Sequence, residues 1–154
     1  WRFLRDWPTD KIKKMRKDIL QIYCDGGARG NPGPSAAAFV VIKGKTVHFK
    51  KTQYLGKKTN NEAEYTAVIM AFKWLKDNLD FVNKSGVVFF LDSELVTKQL
   101  LGDYKIKSKK LVPKFFLVKE LEKSIQGKVD YVSVPREKNR LADYLVNRAL
   151  DQKL

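Results

Sequence analysis

The run Val87-Val88-Phe89-Phe90-Leu91 is apolar at every position and ends on Asp92-Ser93. A strand with one wet face alternates polar and apolar residues, so this unbroken run predicts a strand covered on both faces. Two-sided cover requires helices above and below a sheet, and the rest of the chain supplies them. A strand at about 19–25 leads into a glycine-rich turn running from Asp25 to Pro34. Ala36–Ile42 and Thr46–Tyr54 flank Lys43-Gly44-Lys45, which reads as a hairpin. Ala63, Ala67, Met70, Ala71, Trp74 and Leu75 recur at helical spacing over about 61–78, with Thr59 or Asn60 as the cap. Ser93 opens a short helix bearing Leu95, Val96, Gln99 and Leu100, which Gly102 stops. Leu117, Val118, Leu121 and Ile125 stripe a further helix that starts near Pro113. Val129–Val134 alternates as a fifth strand, and a last helix over about 138–151 buries Leu141, Ala142, Leu145, Val146 and Ala149.

The order βββαβααβα predicts an α/β fold. Its five-stranded mixed sheet has the order 3-2-1-4-5, is flanked by helices, and uses right-handed crossovers between parallel strands. Residues 19–154 form one domain in this reading, and residues 1–18 a basic, aromatic appendage or linker. The first strand then pairs antiparallel on one side and parallel on the other, which makes its C-terminal end a switch point where open α/β sheets bind ligands.

Two carboxylates, Asp25 and Asp92, end strands at that edge. Two more open helices: Glu64, in Thr59-Asn60-Asn61-Glu62-Ala63-Glu64, and Asp143, in Asn139-Arg140-Leu141-Ala142-Asp143. Each has an ordinary explanation by itself. Asp25 is a turn former before glycine. Asp92 is a helix cap. Glu64, like Glu62 beside it, compensates a helix dipole, and Asp143 pairs with Arg140 or Arg148. Together they fall where the topology converges, and four carboxylates at one edge make a hard-oxygen site suited to Mg²⁺. That acidic spot sits in a chain of net charge +14, with 31 Lys and Arg against 17 Asp and Glu. A balance this basic points to a polyanionic partner such as nucleic acid.

Other classes fall away. No apolar run approaches the roughly 20 residues that span a bilayer, so no membrane role is expected. The single cysteine, Cys24, lies in a strand and reads as a core residue. No secretory signal is visible, and we expect a cytoplasmic protein. The chain opens on Trp1 rather than Met, which fits trimming or excision from a longer protein.

Four segments in order carry a family resemblance: Cys24-Asp25-Gly26-Gly27 with Gly30-Asn31-Pro32-Gly33-Pro34; Thr59-Asn60-Asn61-Glu62-Ala63-Glu64; Leu91-Asp92-Ser93-Glu94-Leu95-Val96; and Val134-Pro135-Arg136-Glu137-Lys138-Asn139 with Ala142-Asp143. The chain resembles the type 1 ribonucleases H from about Leu20 to Leu150, in their compact archaeal and bacterial form. The resemblance implies the ribonuclease H-like fold and hydrolysis of the RNA strand of RNA–DNA hybrids by two-metal-ion catalysis. The implied products end in a 5′-phosphate and a 3′-hydroxyl. It implies Asp25, Glu64, Asp92 and Asp143 as catalytic metal ligands for two Mg²⁺, with Mn²⁺ as a substitute and no small-molecule cofactor. The family pattern Asn-Asn-x-x-Glu selects Glu64 over Glu62. By the same resemblance, Gly26, Gly30, Asn31, Thr59, Asn60, Asn61, Arg136 and Asn139 are substrate contacts. The partner implied is an RNA–DNA hybrid, and the protein is expected to act as a monomer.

Two departures stand out. Some members carry a histidine in the loop before the last helix; here that loop is Pro135-Arg136-Glu137-Lys138-Asn139, and the single histidine, His48, is expected on the sheet surface. Arg136 is the local substitute, in an electrostatic role, because arginine cannot shuttle protons near neutral pH. The long basic, tryptophan-containing insertion of many bacterial members is also missing. The lysines of residues 102–113 or of Lys11–Lys17 are candidates to replace it. A domain of a larger reverse transcriptase-like protein and a non-catalytic hybrid- or duplex-RNA-binding module are the alternatives. A resolvase or transposase shares the general fold, but the Asn-Asn-x-x-Glu and Gly-Asn-Pro-Gly segments favour the ribonuclease.

Overall fold

The computed structural model describes residues 18–82 and 86–153. The expected appendage, Asp18 apart, and its lysines Lys11–Lys17 lie outside the described residues. Five strands form one sheet in the order β3-β2-β1-β4-β5. They are β1 (Leu20–Ala28), β2 (Gly33–Lys43), β3 (Thr46–Lys58), β4 (Val87–Leu91) and β5 (Val129–Ser133). The helices are α1 (Asn60–Asp77), α2 (Glu94–Leu100), α3 (Val112–Glu122) and α4 (Arg140–Gln152). β1 runs antiparallel to β2 and parallel to β4, and β5 runs parallel to β4. The sheet order and the strand directions are those expected from the sequence.

Alternation along β2 sorts its side chains between two cores. Ala37, Phe39 and Val41 join β1, β4 and the α1–α3 side, where Phe72 stacks on Phe89 at 4.5 Å and Val118 is buried. Ala36, Ala38 and Val40 face α4, against Ala142, Leu145, Val146 and Ala149. β4 has no polar position because both its faces are covered: Val87, Phe89 and Leu91 point to the first core, and Val88 and Phe90 pack with Ile19. Cys24 is buried in the first core, and His48 is exposed on β3 with its ring edge-on to Phe81.

Three expectations need correction. β1 does not end at Asp25 but continues through Gly26 and Gly27 to Ala28, paired to β2 throughout. The turn is only the four residues between Ala28 and Gly33. Leu117 and Leu141, expected in buried stripes, are 40% and 38% exposed. Successive helical residues are turned about 100° from one another, so Leu141 falls at the edge of the arc centred on Ala142, Leu145, Val146 and Ala149.

Candidate active site

β1 and β4 pair only as far as Tyr23 and Phe90. Asp25 and Asp92 each stand two residues beyond that last pair. The period of two along β1 puts Asp25 on the same face as Tyr23, and Asp92 follows the last residue of β4 at the mouth of the opened ladder. Glu64 arrives from α1. An added Cβ at Gly26 would lie 2.2 Å from the carbonyl carbon of Ala63 and 2.5 Å from the nitrogen of Glu64. Only glycine allows the first turn of α1 to rest directly on β1. One carboxylate oxygen from each of Asp25, Glu64 and Asp92 lies within 4.8 Å of the other two. Asp143, in the first turn of α4, lines the same cleft of about 300 Å³.

The capping roles considered for Asp92 and Glu64 are taken by their neighbours, and Asp143 finds a different arginine from those expected. Ser93, not Asp92, caps α2, its Oγ accepting from the Val96 N–H at 3.2 Å. Glu62, not Glu64, completes the α1 capping box: Thr59 Oγ1 accepts from the Glu62 N–H at 3.1 Å, and Glu62 Oε2 accepts from the Thr59 N–H at 2.8 Å. Asp143 pairs with Arg136, with Nη2 to Oδ1 at 3.2 Å, rather than with Arg140 or Arg148.

The site disfavours charge on Asp25 and on Glu64. Burial, and then the Asp92 charge, raise Asp25 from 3.8 to about 7. Burial, and then Asp25 and Asp92, push Glu64 well above the usual carboxylate range. Glu64 Oε2 is buried with no hydrogen-bond partner among the described residues. A buried carboxylate oxygen without a partner, on a group clustered with two further carboxylates, is costly unless a cation is bound there. The donor set is oxygen only, so the arrangement fits a hard divalent ion.

The expected substrate contacts divide into groups. Asn60, Asn61 and Arg136 line the cleft, and Gly26 lies at its wall. Asn31 and Asn60 tie the β1–β2 turn to α1: Asn31 Oδ1 accepts from the Asn60 N–H at 3.0 Å, and Asn60 Oδ1 accepts from the Ala28 N–H at 2.8 Å. Gly30 holds that turn at φ 93°, and the Thr59 hydroxyl oxygen is engaged in the cap. Asn139 does not face the cleft. It is 1% exposed, and its Nδ2 donates to the Cys24 carbonyl at 2.8 Å.

Sequence reasoning missed Arg29 and Asn147, which both line the cleft. Arg29 is held there by Asp151 at 2.6 Å. The Asn147 amide donates to the Asp143 carbonyl at 3.0 Å. The four-residue spacing from Asp143 was the available signal for Asn147. Basic groups gather beside the acidic ones. Burial works to raise Glu62, but its Thr59 bonds and the charges of Lys110 and Lys58 hold its carboxyl below the ordinary value. Lys105 and Lys107 line a second cleft of about 540 Å³, which shares Asn61 with the first.

The sequence profile of the RNase H family matches residues 17–151. The chain belongs to the RNase H family. Among its relatives, ribonuclease HI of Halobacterium salinarum is 36% identical over 151 residues, covering 94% of this chain and 72% of that one. A bifunctional protein of Mycobacterium tuberculosis is 34% identical over 132 residues, covering 84% of this chain but 35% of that protein. The RNase H1 isolated from compost by a metagenomic approach superposes with a TM-score of 0.83 at 38% identity, covering 88% of this chain and 98% of that one. That enzyme has also been solved in complex with an RNA/DNA hybrid, and this form superposes at 0.81. As a ribonuclease H, this chain hydrolyses RNA paired with DNA. No described helix is long and apolar enough to cross a membrane.

Proposed function

We propose that the acidic cleft cuts the RNA strand by two-metal-ion catalysis, with Asp25, Glu64, Asp92 and Asp143 as the ligands of two Mg²⁺ ions. The observation that carries this reading is the triplet Asp25, Glu64 and Asp92 within 4.8 Å, with one buried Glu64 oxygen left without a partner among the described residues. When bound, the ions would lower the pKa of the attacking water and stabilise the leaving 3′ oxygen, and Mn²⁺ would serve in their place. The products are a 5′-phosphate and a 3′-hydroxyl.

The protein's own task is to place the scissile phosphate. Arg136 is 75% exposed at its side chain and reaches Asp143. It screens the cleft's negative charge and meets the entering phosphate. Asn60, Asn61 and the Gly26 and Gly30-Asn31 backbone meet the minor groove, where a 2′-hydroxyl distinguishes RNA from DNA. Asn31 and Thr59 approach a phosphate of the DNA strand, as do Lys58, Lys110 and the loop lysines Lys105 and Lys107. All four carboxylates come from one chain, which supports a monomer. Residues 19–154 are the catalytic domain, residues 1–18 an appendage, and the setting cytoplasmic. The 35% coverage of the mycobacterial relative supports a second reading, in which the same domain works inside a longer protein.

Labelled RNA–DNA hybrid, single-stranded RNA, duplex RNA and duplex DNA, each with Mg²⁺ or EDTA, test the reading. Cutting of the hybrid's RNA strand with Mg²⁺ alone is expected. Tight binding without cutting, in Mg²⁺ and in Mn²⁺, would leave a binding module.

A further inference from the structure

Asn139 is buried, polar and only half satisfied. Its Nδ2 donates to the Cys24 carbonyl at 2.8 Å, while its Oδ1 is buried with no hydrogen-bond partner among the described residues. The orientation of the amide is set by its partner, because a carbonyl requires the NH₂ end. A buried acceptor left unpaired is a cost, so the other half of the amide must justify the residue.

That half touches a special point of β1. Pairing between β1 and β4 stops at Tyr23 and Phe90. Cys24 is the next residue, and its carbonyl belongs to the peptide that carries Asp25. Where the ladder parts to open the cleft, the Asn139 amide takes up this carbonyl. The backbone of Asn139 also begins α4: its carbonyl accepts from the Asp143 N–H at 3.1 Å. Two hydrogen bonds therefore run from the peptide before Asp25, through Asn139, to Asp143. The two carboxylates come from opposite ends of the chain and from different elements. Apart from Arg29, just past the end of β1, which pairs with Asp151 at 2.6 Å and donates to the Asn147 carbonyl at 3.5 Å near the far end of α4, α4 meets the sheet through apolar contacts among Ala142, Leu145, Val146 and Ala149. Such contacts hold a helix against a sheet but resist small sliding poorly, since they are non-directional.

We propose that Asn139 is a positioning residue that fixes Asp143 relative to Asp25 and thereby sets the metal affinity of the cleft. It does not touch substrate. The inference rests on the metal-dependent reading given above.

Mn²⁺ binding by calorimetry without substrate, together with kcat and KM on a hybrid, tests it in a double-mutant cycle of Asn139→Leu and Asp143→Asn. Leucine keeps the volume and removes the donor. With Asp143 intact, Asn139→Leu is expected to weaken Mn²⁺ binding about tenfold and to lower kcat while KM stays within twofold. With Asp143→Asn, the same change should alter Mn²⁺ binding less than twofold, because coupled residues depart from additivity. If the leucine variant does not fold, Asn139→Ser carries the same comparison. Equal loss in both backgrounds would overturn the proposal, and so would unchanged Mn²⁺ affinity. A rise in KM with kcat unchanged would return Asn139 to the substrate contacts. A wild-type protein that binds no Mn²⁺ would instead overturn the metal-dependent reading itself.

Discussion

Without metal, the cleft should destabilise the fold it belongs to, and Asp25→Asn measures how much. The folded state holds a proton on Asp25 up to about pH 7, whereas the unfolded chain releases it near the ordinary value of 3.8. Between those limits the folded state binds more protons. Stability therefore falls as pH rises through this window and stays low above it. A rise of about 3 pH units at about 1.4 kcal/mol each sets a ceiling near 4 kcal/mol. Incomplete burial and relaxation around the charge bring the expected effect to about 2–3 kcal/mol. The neutral amide of Asn does not undergo this loss, and it also relieves Glu64 of a neighbouring charge. Urea unfolding in EDTA should show the wild type less stable at pH 8 than at pH 5, and Asp25→Asn more stable than the wild type at pH 8. Saturating Mg²⁺ should restore the wild type, by about 2.7 kcal/mol at a hundred times Kd, and move the variant little. A variant less stable than the wild type at pH 8 in EDTA would refute the electrostatic reasoning.

Gly26→Ala forces a methyl into the Ala63 backbone; a loss of about 1–3 kcal/mol should appear in urea unfolding, with weakened Mn²⁺ binding by calorimetry. Arg136→Ala should lower turnover several-fold while Mn²⁺ affinity changes less, and unchanged turnover would remove its role. Hybrid affinity should fall steeply with salt, and replacing Lys105 and Lys107 by Ala should flatten the log–log slope by about 0.7–0.9 for each phosphate that is no longer neutralised. Deleting residues 1–18 tests the appendage: unchanged hybrid affinity and salt slope would leave the loop lysines as the principal handle.

The sheet order was readable because each strand had its own signature: an unbroken apolar run for β4, a hairpin glycine between β2 and β3, and alternation in β5. The continuation of β1 past Asp25 was not, because Asp-Gly-Gly has the composition of a turn. What keeps those glycines extended is long-range: both pair with β2, and the first turn of α1 rests on Gly26. The choice between Glu62 and Glu64 came from family likeness alone. The structure adds a physical reason, since Glu62 is committed to the Thr59 cap. Asn139 shows the reverse limit. Its motif position marked it as important, but a motif does not say which way a side chain points, and here it points inward to Cys24. Leu117 and Leu141 illustrate the same limit for apolar residues at the edge of a helical stripe.

The most direct measurement is Mg²⁺-dependent cleavage of an end-labelled RNA–DNA hybrid by the wild type beside Asp92→Asn, with folding checked by circular dichroism. The wild type should cut the RNA strand in Mg²⁺ and stop in EDTA, and the folded variant should bind the hybrid without cutting it. Cleavage that persists in EDTA, or at full rate in Asp92→Asn, would contradict the assignment of the reaction to this cleft.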